Sequence, residues 1–91
     1  MSRYTWDPEK ARVNLVKHGV SFQEAESVPD TDLARWVLDP RYADEDRFLI
    51  TGSSTFGNLL VVVTSERGPQ PRIISARRAT KRERHAYEAR P

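Results

Sequence analysis

Leu59-Leu60-Val61-Val62-Val63-Thr64 is apolar at five consecutive positions before it reaches a β-branched threonine. A strand with one wet face alternates apolar and polar residues. This one does not, so it is predicted to be an inner strand covered on both sides. Upstream, Ser53 to Asn58 reads as a hairpin loop with Gly57 free to take positive φ, and Arg47-Phe48-Leu49-Ile50-Thr51-Gly52 reads as the strand before it. Downstream, Gly68-Pro69-Gln70-Pro71 forces a turn, and Arg72 to Arg77 supplies another strand. Leu33 to Leu38 is rich in β-formers and closes on the turn signal Asp39-Pro40. Connections this short join antiparallel neighbours, so the four segments form an antiparallel meander.

The first third of the chain has a different character. Asp7-Pro8-Glu9 is a helix start, with Asp7 as cap, Pro8 at the first helical position and Glu9 facing the positive helix end. The helix is expected to run to about His18, with Ala11, Leu15 and Val16 on one side, and Gly19 stops it. Arg3 to Trp6 before it suits a short edge strand. Ser21-Phe22-Gln23-Glu24 is a capping box, so a second helix follows at once and ends near Val28, ahead of Pro29. A third box, Thr80-Lys81-Arg82-Glu83, opens a short polar helix after the last strand. The expected architecture is α+β, with two N-terminal helices packed on a four-stranded antiparallel sheet and a short C-terminal helix. Residues 1–91 read as a single domain.

Charge is distributed unevenly. Met1 to Glu66 carries seven Lys/Arg against eleven Asp/Glu, whereas Arg67 to Pro91 carries eight against two. Such a polarised chain presents its basic end to a polyanion, and nucleic acid is the expected class. There is no cysteine, which excludes a disulfide framework and a thiolate zinc site. No apolar run approaches the roughly 18 residues of a membrane span, so a cytoplasmic location is expected. Neither a phosphate-binding glycine loop nor a dinucleotide fingerprint is present, and no small-molecule cofactor is expected. Asp44-Glu45-Asp46 reads as a solvated turn and not a metal site, because no further Asp or His joins it at ligand spacing. His18, at a helix end, reads as a partner of the helix dipole.

Chemistry concentrates between Arg72 and Tyr87. Arg77 and Arg78 stand at a strand end, and arginine offers a permanently charged planar fork that matches phosphate. If the strand is regular the two point to opposite faces, and both reach one ligand only where the backbone bends. The alternative for them is salt bridging to Asp44, Glu45 or Asp46. Arg72 is expected to share a face with Ile74 and Ala76, nearer the strand's start. The capping box sets the helical register, which puts Tyr87 one turn beyond Glu83 on the same face. Glu83 is either a capping carboxylate or a catalytic one.

Four stretches together resemble a known family. They are Trp6-Asp7 with Lys10 and Asn14; Lys17-His18-Gly19-Val20-Ser21-Phe22 with Ala25; the Arg47–Gly52 and Leu59–Thr64 strands with Arg67; and Arg72-Ile73-Ile74-Ser75-Ala76-Arg77 with Ala79, Glu83 and Tyr87. The chain resembles the BrnT-type toxins of type II toxin–antitoxin pairs. That resemblance implies a RelE-like fold and a metal-independent endoribonuclease that arrests translation. It also implies neutralisation by a cognate BrnA-type antitoxin, and promoter DNA bound only through the toxin–antitoxin complex. Pro29 departs from the family pattern, which carries Phe and then an acidic pair there, so the second helix is expected to be short.

Metal-free RNA cleavage needs an activated 2′-hydroxyl, a stabilised phosphorane and a proton for the leaving oxygen. The candidate catalytic residues are Arg77 and Arg78 for the phosphorane, Glu83 as base or orienter, and Tyr87 assisting. Arg67, Arg72, Lys81 and His85 are the candidate substrate contacts, with His85 a further candidate for proton transfer. The competing reading is a non-catalytic module that binds nucleic acid or a partner protein, which an arginine-rich segment serves equally well.

Overall fold

The computed structural model describes residues 3–89. Their order is α1 (Pro8–His18), α2 (Phe22–Ala25), β1 (Arg35–Leu38), a 3-10 helix (Pro40–Glu45), β2 (Arg47–Ser53), β3 (Leu59–Ser65), β4 (Arg72–Arg78) and α3 (Lys81–Ala89). The strands pair antiparallel in the order β1-β2-β3-β4. The apolar β3 is thus an inner strand, as its composition requires. Leu60 and Val62 are fully buried on the side of α1 and α2, and Val61 is buried on the side of α3.

Phe22, Val28, Ile50, Leu60, Val62 and Ile73 are fully buried between the N-terminal helices and the sheet, with Trp6 edge-on to Phe22 at 5.9 Å. Full burial of such side chains contributes roughly 1.5–3 kcal/mol each. Asp7 caps α1 by accepting from the Glu9 N–H at 2.9 Å. Gly19 closes the helix at φ 70°, donating its N–H to Leu15 at 2.8 Å.

The inward face of α1 is not the expected one. Leu15 and Val16 are exposed, and the helix turns Ala11, Asn14 and His18 inward. The reason lies at β4, which is an edge strand. Asn14 accepts from the Ala76 N–H at 3.1 Å and donates to the Ala76 carbonyl at 2.8 Å, so one side-chain amide imitates a neighbouring strand. Its Nδ2 also donates to the Val20 carbonyl at 3.0 Å. Further along the same edge, Thr5 forms a parallel bridge to Arg72, so the expected N-terminal edge strand is reduced to one residue. Glu66 ties this end down, accepting from Tyr4, Arg3 and Thr64 at 2.8, 3.0 and 2.7 Å. Burial, with the Glu66 carboxylate next, pushes the Tyr4 phenol above its ordinary range.

Three local features differ from expectation. α2 is a single turn: Ser21 caps the Glu24 N–H at 3.0 Å, but the Glu24 carboxylate leaves the box to bind Ser54 and Asn58. Asp39-Pro40 begins a 3-10 helix instead of a simple turn, with Asp39 accepting from the Arg41 N–H. A β-bulge in β4 pairs Val63 with Ser75 and Thr64 with Ile73, leaving Ile74 over. That bulge puts Ile73 and Ala76 on the core face together. Arg72, paired with Ser65, therefore does not share a face with Ala76.

Candidate active site

α3 is fixed to the end of β4 by short-range chemistry. The third capping box forms in both directions: the Glu83 N–H donates to Thr80 Oγ1 at 3.1 Å, and the Thr80 N–H donates to Glu83 Oε1 at 2.8 Å. Arg77 then grips the same carboxylate with both terminal nitrogens, Nη1 to Oε1 at 2.7 Å and Nη2 to Oε2 at 2.9 Å. A fork-to-fork pair of this kind is among the stronger charge-assisted arrangements. The Arg77 hydrogen bonds hold the Glu83 carboxyl down at about 2, with the Thr80 N–H adding to them against the opposing effect of partial burial. Glu83 is therefore ionised, fully engaged and a weak base, and it suits the orienter's role better than the base's.

Helical spacing turns Glu83, Ala86 and Tyr87 to the sheet. Between them and the strands lies a cavity of about 220 Å³, floored by Val37, Leu49, Thr51 and Val61 and flanked by Arg35. Tyr87 closes one side by donating its hydroxyl to the Leu33 carbonyl at 3.0 Å. Strand register places Arg35, Thr51, Val61 and Arg77 in one row across the four strands. At ~4.8 Å per strand, Arg35 and Arg77 stand about 14 Å apart on opposite sides of one floor. Arg35 is exposed and makes no ion pair among the described residues.

Sequence reasoning passed over Arg35. Its signal is the register: only when Arg35 is known to stand opposite Thr51, and Thr51 opposite Val61, does Arg35 fall on the face of Arg77.

The other sequence-derived candidates scatter. β4 stays regular through its end, so Arg78 leaves on the face opposite Arg77 and donates to Asn58 Oδ1 at 2.9 Å. Arg72 lies five residues back from Arg77 on the bulged β4, opposite Ser65, which is four residues along β3 from Val61. It therefore stands on the face of Arg77 but roughly 13 Å away at ~3.3 Å per residue, and Arg67 sits in the turn at that far end. Lys81 and His85 line the outer side of α3 with Arg84 and Glu88, away from Glu83 and Tyr87. Neither of the twin arginines pairs with Asp44, Glu45 or Asp46; Glu45 is taken by Arg47 at 3.1 Å. Among the described residues no group of three His, Asp or Glu is arranged to hold a metal ion, and no helix is long and apolar enough to cross a membrane.

The sequence matches, over residues 6–83, the family described as the ribonuclease toxin BrnT of type II toxin–antitoxin systems. This chain belongs to the BrnT family. The resemblance read from the Lys17-His18-Gly19 and Arg72–Arg77 segments is thereby borne out, and the chain is the ribonuclease toxin of a type II pair, with a cognate antitoxin as its partner. The matched segment takes in Arg77, Arg78 and Glu83. A crystal structure of the Brucella abortus ribonuclease toxin, BrnT, is similar with a TM-score of 0.68 at 23% identity, covering 86% of this chain and 96% of that one. At that identity the likeness is one of fold, and the α+β arrangement agrees. No curated protein matches the sequence.

Proposed function

We propose that this BrnT-family toxin cuts RNA without a metal ion, by attack of a ribose 2′-hydroxyl on the adjacent phosphate across the floor between α3 and the sheet. Arg77 neutralises the phosphorane, and Glu83 orients its guanidinium. Tyr87, on the same helix face, is the group left to exchange a proton with the reacting oxygens. Arg35 holds a neighbouring phosphate on the far side of the floor. The observation that carries this reading is the Arg77–Glu83 fork: the carboxylate fixes the plane of the arginine, Nη1 also donates to the Arg78 carbonyl at 3.3 Å, and the Nε–H and the second Nη2 hydrogen are left for phosphate oxygens.

In the cell, RNA in the cytoplasm is the substrate and translation stops when it is cut. A BrnA-type antitoxin neutralises the toxin, and the complex meets its promoter DNA through the antitoxin. The test is product chemistry. Purified toxin incubated with RNA in chelator should yield 2′,3′-cyclic phosphate and 5′-hydroxyl ends. RNA left intact but bound in a salt-sensitive way supports the binding-module reading instead.

A further inference from the structure

On the other side of β4 lies an assembly that the cleft does not use. The β2–β3 loop, residues 54–58, has every backbone N–H hydrogen-bonded. The Ser54 N–H donates to the Asn58 carbonyl at 2.8 Å and the Gly57 N–H to the Ser54 carbonyl at 2.9 Å. Ser54 Oγ accepts from the Phe56 and Asn58 N–H groups at 3.2 and 3.3 Å and donates to the buried Glu24 carboxylate at 2.6 Å. The Thr55 N–H donates to Ser27 Oγ at 3.1 Å. Gly57 takes φ 80°, the left-handed conformation the turn requires. Yet the one large side chain on this frame, Phe56, is 74% exposed.

The same frame holds an arginine. The Asn58 amide donates to Glu24 Oε2 at 2.8 Å and accepts from Arg78 Nη1 at 2.9 Å. That orientation is dictated by chemistry, since a carboxylate only accepts and a guanidinium only donates. Arg78 is thus positioned through a neutral amide. Among the described residues it has no ion pair, whereas Arg77 has its charge matched by Glu83. An exposed ring and an uncompensated guanidinium, both held by Glu24 through one five-residue loop, have the chemistry that takes a nucleotide: the ring offers a face to a base, the fork binds phosphate.

We propose that Phe56 and Arg78 form a nucleotide subsite outside the cleft, where the Phe56 ring stacks on a base of single-stranded RNA and Arg78 binds the adjoining phosphate. The proposal rests on RNA being the substrate. Arg77 and Arg78 are consecutive but face opposite sides of the sheet, so a strand that engages both has to round the end of β4. Glu24 is a positioning residue here.

The test measures kcat and KM on a cleavable RNA, and anisotropy with a fluorescein-labelled, fully 2′-O-methylated oligonucleotide that this chemistry cannot cut. Phe56→Ala should raise KM and weaken oligonucleotide binding by about tenfold, within the range that losing one base–aromatic stack gives, with kcat and Tm near those of the wild type. Phe56→Trp should restore both. Arg78→Ala should weaken binding and lower the slope of log affinity against log salt by about one. Unchanged KM and binding in Phe56→Ala overturns the subsite. So does a loss that Phe56→Trp fails to rescue. If the wild type leaves RNA intact but binds the methylated oligonucleotide through Phe56, the subsite stands and the ribonuclease mechanism falls. If cleavage proceeds and ignores Phe56, the mechanism stands and the subsite falls.

Discussion

Arg77 and Glu83 meet fork to fork across the turn between β4 and α3, at 2.7 and 2.9 Å, while Glu83 also caps its own helix through the Thr80 N–H. One carboxylate thus sets both the helix register and the plane of the arginine. The two contributions separate by mutation. Arg77→Ala removes the phosphorane's cation and should lower kcat at least about 100-fold, the scale of losing a preorganised electrostatic donor. Glu83→Gln keeps a cap acceptor but loosens the fork, and should cost about tenfold with the fold intact. Cleavage assays at matched protein concentration check both. Wild-type rates in both variants would remove these residues from the mechanism.

The same pair makes a stability prediction with a defined sign. Glu83 sits at about 2 in the folded chain, against an ordinary value near 4.5. A lowered carboxyl stabilises the fold fully above its ordinary value, and that stabilisation is lost as pH falls from about 4.5 through 2. Of the two side-chain surfaces, 39% and 35% remain open to solvent, so screening keeps the contribution near ~1 kcal/mol. Urea denaturation of the wild type and of Glu83→Gln should therefore give midpoints that differ at pH 6, draw together below about pH 4.5 and converge only below about pH 2. A constant difference across that range would show that the ion pair adds nothing to stability.

Legibility of this chain from its sequence followed the range of the interactions involved. Caps at Asp7, Ser21 and Thr80 and the stop at Gly19 are written within four residues, and each forms as read. The strands were legible from composition, and β3 declared itself inner by lacking alternation. What failed depends on partners far away in sequence. Asn14 looks like one more polar residue of a largely polar helix until its partner, 62 residues on, is known. Glu24 completes the pattern of a box, but its carboxylate is captured by Ser54 and Asn58, 30 and 34 residues away. The bulge at Ile74 shifted the facing of Arg72, and strand register hid Arg35. Of the basic residues near the C-terminus, the pattern supplied the cluster but not the side of the sheet each one serves.

Arg35 is predicted to contact substrate from across the floor. It stands in the row of Arg77, borders the same cavity, and has no carboxylate partner among the described residues. Arg35→Ala should raise KM several-fold and lower the salt slope of oligonucleotide binding by about one, with a much smaller effect on kcat. Arg67→Ala, at the far end of the sheet, should change neither. Salt titrations of the two variants side by side decide the matter: equal slopes would place Arg35 outside the RNA path.

Asn14 should prove the most sensitive polar position in the core. It is 6% exposed and satisfies both backbone groups of Ala76 on the unprotected edge of β4. Asn14→Ala strands the Ala76 N–H and the carbonyls of Ala76 and Val20, and at roughly 1–3 kcal/mol for each buried group left unpaired a loss of at least about 3 kcal/mol is expected. Asn14→Asp isolates one half of the contact. It keeps the acceptor for the Ala76 N–H but turns a negative oxygen toward the carbonyls of Ala76 and Val20. The introduced carboxylate is disfavoured in its charged form, so its folded pKa lies above its unfolded one. Protonation restores a donor, and the Asn14→Asp variant should gain stability relative to wild type as pH falls from 7 towards 4. Denaturant titrations of wild type, Asn14→Ala and Asn14→Asp at pH 7 and 4.5 test this. A gap between wild type and Asn14→Asp that is unchanged by pH would mean that the edge of β4 is held by something other than this amide.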